Sequence, residues 1–127
     1  MTGTERVGGC QCGAVRFSAE GPPKFVCNCH CADCRRATGA PFSTFVGFLD
    51  DQIAWSGETR AFRESSPGVT RSFCSTCGSP LSYQGAKWAG ETHLYIGNFD
   101  NPGDLTPTSD VFVEEALPWA PIRDRKS

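Results

Sequence analysis

The sequence predicts a mainly β fold: a single domain of small twisted antiparallel sheets. Three observations predict it. Short aromatic and β-branched segments follow one another at close spacing, glycine and proline punctuate them, and only one short segment has helical character. With 127 residues the chain is one domain over 1–127, with tails at about 1–6 and 122–127 expected to be loose. A core of that size is modest and benefits from staples.

Taken in order, Ala14-Val15-Arg16-Phe17-Ser18-Ala19 alternates apolar with polar residues and reads as a half-buried strand, ended by Gly21-Pro22-Pro23. Lys24 to Cys29 reads as a second strand. Asp33 to Thr38 is the helical segment, with Asp33 or a neighbour as its cap, Gly39 at its end and Pro41 blocking continuation. Phe42 to Leu49 is a strand, and Asp50-Asp51 is its turn. Further strands are expected at Ile53–Trp55, Thr59–Arg63, Val69–Phe73, Leu81–Tyr83, Thr92–Ile96 and Val111–Val113, with a turn-rich stretch from Gly97 to Asp110. No internal repeat divides the chain.

The formal charge of −2 and pI of about 5.6 carry no electrostatic footprint for nucleic acid or an anionic membrane surface. No apolar run is long enough to span a bilayer, and residues 1–9 contain no apolar export segment. A cytoplasmic location is expected. In that reducing setting, clustered cysteines are metal ligands or catalytic groups rather than disulfides.

The eight cysteines fall into three groups: Cys10-Gln11-Cys12, the run Cys27-Asn28-Cys29-His30-Cys31-Ala32-Asp33-Cys34, and Cys74-Ser75-Thr76-Cys77. Zinc takes thiolates in a tetrahedron; structural sites fill all four positions, whereas catalytic sites leave one for water or substrate. In an extended segment both sulfurs of Cys10 and Cys12 point the same way. The Cys74–Cys77 turn, followed by Gly78, places two more together, so the outer pairs add up to one closed site. Cys29, Cys31 and Cys34 can hold a second ion from one side. Cys27 is either a fourth ligand there or a nearby buried thiol. A partition in which an outer pair shares a metal with half of the central run is also compatible with the spacing. Iron in a rubredoxin-like site is the weaker assignment, since such sites use two CxxC pairs.

Three motifs, Gly9 to Phe17, Cys29 to Ala40 and Arg71 to Leu81, together resemble the glutathione-dependent formaldehyde-activating enzyme family, which includes centromere protein V. The resemblance covers most of the chain. It implies a fold of small β-sheets similar to that of a Rab-associated zinc chaperone, and two zinc ions. By this analogy Cys10, Cys12, Cys74 and Cys77 hold a structural ion, while Cys29, Cys31 and Cys34 hold a catalytic one; Cys27 lies outside the family's core pattern and is counted among the metal-site residues on its position in the run alone. The implied activity is that of a carbon–sulfur lyase joining an aldehyde to a small thiol such as glutathione, as in S-(hydroxymethyl)glutathione synthase. The alternative is a non-catalytic zinc module that recognises a protein partner. The chain departs from the family at Ser109-Asp110-Val111, where many members carry a histidine.

A three-thiolate zinc carries a formal negative charge; an incoming thiol would lose its proton on binding to it, or the ion would polarise a carbonyl. Arg35 and Arg36 either engage a substrate carboxylate or, as surface arginines commonly do, offset thiolate charge and meet solvent. His30 alternates away from Cys29 and Cys31 and is expected on the opposite face. His93, in an apolar strand, is read as structural. Trp55, Trp88 and Trp119 are read as packing residues rather than a substrate cage.

Overall fold

A computed structural model describes residues 5–122. In chain order its strands are β1 (Glu5–Gly9), β2 (Arg16–Glu20), β3 (Phe25–Cys29), β4 (Ser43–Leu49), β5 (Ile53–Ser56), β6 (Arg60–Ser66), β7 (Val69–Cys74), β8 (Pro80–Gly85), β9 (Glu91–Tyr95) and β10 (Ser109–Val111). One helix, α1 (Ala32–Thr38), follows β3. The mainly β expectation holds.

The strands form two sheets, a three-stranded one in the order β1-β2-β5 and a seven-stranded one in the order β10-β3-β4-β9-β8-β7-β6. Every pairing is antiparallel except one. β10 runs parallel to β3, with Asp110 opposite Asn28, so the larger sheet is mixed rather than purely antiparallel. A parallel neighbour needs a long return connection, which the turn-rich stretch before Ser109 supplies. That last strand also lies two residues earlier than the expected Val111–Val113. Phe112 adopts a left-handed backbone, φ 56° and ψ 41°, and begins a 3-10 turn at Val113–Glu115.

The expected loose tails at 1–6 and 122–127 fall largely outside the described residues, but Glu5 and Arg6 do not fit that expectation. Both lie in β1, paired with Glu20 and Ala19, and Arg6 binds Asp104 through two nitrogens at 2.9 and 3.0 Å.

Period-two alternation decides which face each strand residue meets. Phe17, Ala19, Val26, Val46, Phe48, Leu94 and Phe99 share one cluster with Ile53 and Trp55, so the small sheet packs on one face of the large sheet. The opposite face gathers Cys27, Cys29, Cys34, Phe45 and Tyr95, with Phe25, Tyr83 and Val111 against them. A third cluster joins Cys10, Val15, Cys74 and Leu81.

Across the second face the register aligns Phe25, Gly47, His93, Tyr83 and Arg71 in one row over five strands. Gly47 has a specific reason to be glycine: a Cβ there would stand 2.2 Å from the Phe25 ring. We expect Gly47→Ala to push that ring aside and to cost about 1–3 kcal/mol, as overpacking does. Chemical denaturation of the pair Gly47→Ala and Gly47→Ala/Phe25→Leu checks this, since the smaller side chain should recover part of the loss.

Candidate functional site

The outer cysteines come together as the spacing indicated. The sulfurs of Cys10, Cys12, Cys74 and Cys77 lie within 4.8 Å of one another, with Cys10 to Cys12 at 3.7 Å and Cys12 to Cys74 at 3.8 Å. The local conformation differs from expectation. Residues 10–13 form a turn, not an extended segment, with the Gly13 N–H donating to the Cys10 carbonyl at 3.1 Å and Gly13 at φ 83°. Backbone and hydroxyl donors surround the sulfurs: Val15 N to Cys10 at 3.3 Å, with the Thr59 and Ser79 hydroxyls 3.3 Å from Cys74 and Cys77. The bond to Ser79 leads the causes that bring Cys77 down to about 5.

A second group is built where β3 runs into α1. The sulfurs of Cys29, Cys31 and Cys34 also lie within 4.8 Å of one another, Cys29 to Cys34 at 3.6 Å. Cys31, rather than Asp33, caps α1: its sulfur accepts from Cys34 N at 3.2 Å. Gly39 closes the helix with φ 75°, a left-handed conformation that suits glycine. Thus the strand end, the cap and the first helical turn each contribute one sulfur. Thiolates at about 2.3 Å from a tetrahedral ion stand about 3.8 Å apart, so both groups fit a bound metal.

Cys27 sits apart from that three-sulfur group. It shares the face of Cys29, but two residues along a strand span about 7 Å, and it packs near Phe45 and the neighbouring cavity. Burial raises its thiol to about 11. Cys34 behaves oppositely. The Cys29 thiol donates to it, which together with Cys31 and Arg71 outweighs burial and lowers Cys34 to about 6, while Cys29 itself is raised.

Arg71 is the residue the sequence reading did not single out. It is 4 % exposed, and its guanidinium reaches Cys34 Sγ at 3.7 Å, Asp33 Oδ2 at 3.1 Å, the Tyr95 hydroxyl at 3.0 Å and Ser65 Oγ at 3.2 Å. Burial opposes its charge, yet Tyr95, Cys34 and Asp33 outweigh burial and hold it protonated. Arg35 and Arg36, considered from sequence, stand elsewhere. Arg35 binds the carbonyls of Glu115 at 2.6 Å and His30 at 3.2 Å, tying α1 to the C-terminal segment, and Arg36 is exposed.

His30 is fully buried, with Nε2 2.8 Å from Asp110 Oδ1 and its ring 5.0 Å from Phe42. It anchors β10 beside β3, helped by the His30 N–H to the Val111 carbonyl at 3.0 Å.

The three-sulfur group opens onto a cavity of about 620 Å³. Phe25, Phe45, Tyr83, Trp88 and His93 line it, so Trp88 is a cavity residue rather than plain packing, and His93 does more than fill a strand. Trp55 does pack in the core, and Trp119 is exposed. His93 is the hub of the wall: Tyr83 stacks on it at 5.4 Å and Phe25 meets it edge-on at 4.8 Å. Its Nε2 lies 3.0 Å from Glu91 Oε1, whose other oxygen binds Lys24 at 2.5 Å.

Burial lowers the His93 pKa, and Glu91 partly restores it. The folded value therefore lies below the usual 6.5. The unfolded chain binds more protons over that window, so the contribution of His93 to stability is complete above pH 6.5 and is lost as pH falls. We expect Glu91→Gln to move the His93 midpoint lower still, read by NMR titration of the imidazole resonances; an upward move would contradict this wiring.

No helix among the described residues is long and apolar enough to cross a membrane. The sequence profile of the glutathione-dependent formaldehyde-activating enzyme family matches residues 5–115. A Halomonas elongata protein named "Putative glutathione-dependent formaldehyde-activating enzyme" is 28 % identical over 128 residues, covering 94 % of this chain and 82 % of the relative. A crystal structure of a Rhodobacter sphaeroides protein superposes with a TM-score of 0.66 at 22 % identity, covering 82 % of this chain and 98 % of the other, which shows the shared fold. The chain belongs to the glutathione-dependent formaldehyde-activating enzyme family.

Proposed function

We infer that the protein is a zinc-dependent carbon–sulfur lyase acting on the adduct of an aldehyde with glutathione or a related thiol. One observation carries the reading. Cys29, Cys31 and Cys34 present three sulfurs to one point beside a sizeable cavity, and among the described residues no fourth Cys, His, Asp or Glu ligand atom joins them. A three-ligand set is how proteins leave a metal position for chemistry. The outer four-sulfur group supports a closed structural site, giving two zinc ions per chain. Eight unpaired cysteines support a reducing compartment such as the cytoplasm.

Zinc at the three-sulfur group would activate a bound thiol as thiolate or polarise a carbonyl. The chain's own residues supply the rest. Arg71 places a fixed positive charge against Cys34, offsetting the excess negative charge of three thiolates. The Cys34 N–H to Cys31 holds one sulfur in place, and the aromatic wall, buried at Phe45 and His93, thins the water around the reacting atoms.

Metal analysis should return two zinc ions per chain. With cobalt substituted, added glutathione should alter the absorption of one site only. A metal-filled preparation that neither responds to any thiol nor speeds adduct formation from glutathione and an aldehyde would overturn the reading.

A further inference from the structure

The cavity beside Cys29, Cys31 and Cys34 is much larger than formaldehyde requires. Its volume of about 620 Å³ falls among sites for drug-sized ligands, roughly 300–1,000 Å³. A molecule of one carbon and one oxygen would leave nearly all of it unfilled. The walls are aromatic: Phe25, Phe45, Tyr83, Trp88, His93 and Phe112. Phe45 meets Tyr83 at 5.9 Å and His93 at 5.9 Å, and Trp88 meets His93 at 6.0 Å, so these four rings form one connected surface, with Phe112 a further lining residue.

Two of these rings sit partly in water, Trp88 at 40 % and Phe112 at 39 % exposed. Phe112 is the only non-glycine residue with positive φ among the described residues. A bulky residue in the left-handed region is strained, and such strain concentrates at ligand sites. Here it holds an apolar ring at the cavity.

The charged lining does not suit the interior to glutathione itself. Glutathione brings two carboxylates and one ammonium, whereas the cavity lining offers one cation, Lys87, beside Glu114 and an Asp33 that Arg71 already pairs at 3.1 Å. The peptide ends are therefore better placed near the rim with exposed Lys87, leaving the interior for the other reactant.

We propose that the aldehyde accepted by this site is aromatic, its ring lying among the Trp88, His93 and Phe112 side chains that line the cavity while its carbonyl faces Cys29, Cys31 and Cys34. The proposal rests on the lyase reading for its chemistry. The thiol adds across the carbonyl: a sulfur–carbon bond forms, the carbon–oxygen π bond breaks, and the oxygen takes the proton that the thiol gives up. The product is a hydroxybenzyl thioether, and no oxidant or reductant is consumed.

The test uses the zinc-loaded full chain, with benzaldehyde and acetaldehyde titrated separately and binding read by calorimetry and tryptophan fluorescence. Benzaldehyde should bind at least about tenfold more tightly than acetaldehyde, reflecting several ring contacts. Trp88→Ala should reduce that ratio below about threefold. Phe112→Gly should also reduce it while leaving Tm unchanged or higher, because glycine adopts this backbone without strain. Equal binding of the two aldehydes, or a preference that survives both variants, overturns the proposal. A cobalt-site response to glutathione without aldehyde discrimination would sink the aromatic proposal alone. Discrimination with no thiol response would sink the lyase reading and leave the aromatic preference of the cavity in place.

Discussion

Cys74→Ser is expected to abolish cooperative folding, whereas Cys31→Ser is expected to leave a folded protein without activity. The difference lies in what each group ties together. Cys10 and Cys12 come from the turn between β1 and β2, Cys74 ends β7, and Cys77 lies in the turn before β8. An ion held by all four of these sulfurs would therefore clip the small sheet to the far half of the large one. Such a site assembles only on folding, so its metal-binding energy is folding energy, about 10–16 kcal/mol for small zinc-bound peptides. Net stability of a domain is only about 5–15 kcal/mol. Losing one of four ligands removes a share too large to spare. Cys29, Cys31 and Cys34, by contrast, lie within one short stretch where β3 already pairs with β4 and β10. Thermal melting followed by circular dichroism, with metal content on the same samples, separates the two variants.

The second large effect is expected from Arg71→Ala: a loss of about 10–100-fold in metal affinity at the central group, typical of removing an outer partner of a ligand. Affinity at the outer group should not change, because the described contacts of the Arg71 guanidinium run to Cys34, Asp33, Tyr95, Ser65 and the Tyr83 ring, none of them in the outer group. Arg71→Lys should recover only part of the loss. An ammonium is a compact charge and does not reproduce a planar fork reaching four partners. Chelator competition on the cobalt-substituted protein reads each site by its own absorption band. Equal weakening of both bands would point to a general destabilisation instead.

The cysteine groups were legible because ligand spacing is local. CxxC at Cys31/Cys34 and Cys74/Cys77, and the Cys10–Cys12 turn, bring sulfurs together locally, whereas which pairs share an ion was left open by spacing and is read from the assembled groups. Most strands were legible as short aromatic and β-branched segments, though β1 at Glu5–Gly9 was not, and α1 was legible from Gly39 and Pro41 behind it. What was not legible depends on pairing between distant segments. Arg71 looks like one more polar strand residue until β7 and α1 are brought together, which places it against Cys34. Gly47 and Phe25, 22 positions apart, acquire meaning only through the β3–β4 register. The aromatic wall likewise draws on β3, β4, β8, β9 and the Trp88 turn, so Trp88 reads as ordinary packing in isolation. The parallel return of β10 is a property of a long connection, on which alternation is silent. Cys27 marks the boundary between the two kinds of information. Periodicity places it on the correct face, but the rise along a strand keeps its sulfur away from the group that Cys31 and Cys34 complete by turning back toward Cys29.

That distinction also sets the decisive measurement. A crystal structure of the zinc-loaded protein, with anomalous data at the zinc edge and with glutathione absent and then present, gives the coordination at Cys29, Cys31 and Cys34 directly. Three protein sulfurs are expected on that ion, with the glutathione sulfur completing the set when present. A central zinc closed by the Cys27 sulfur in both crystals would contradict this and make the site a scaffold.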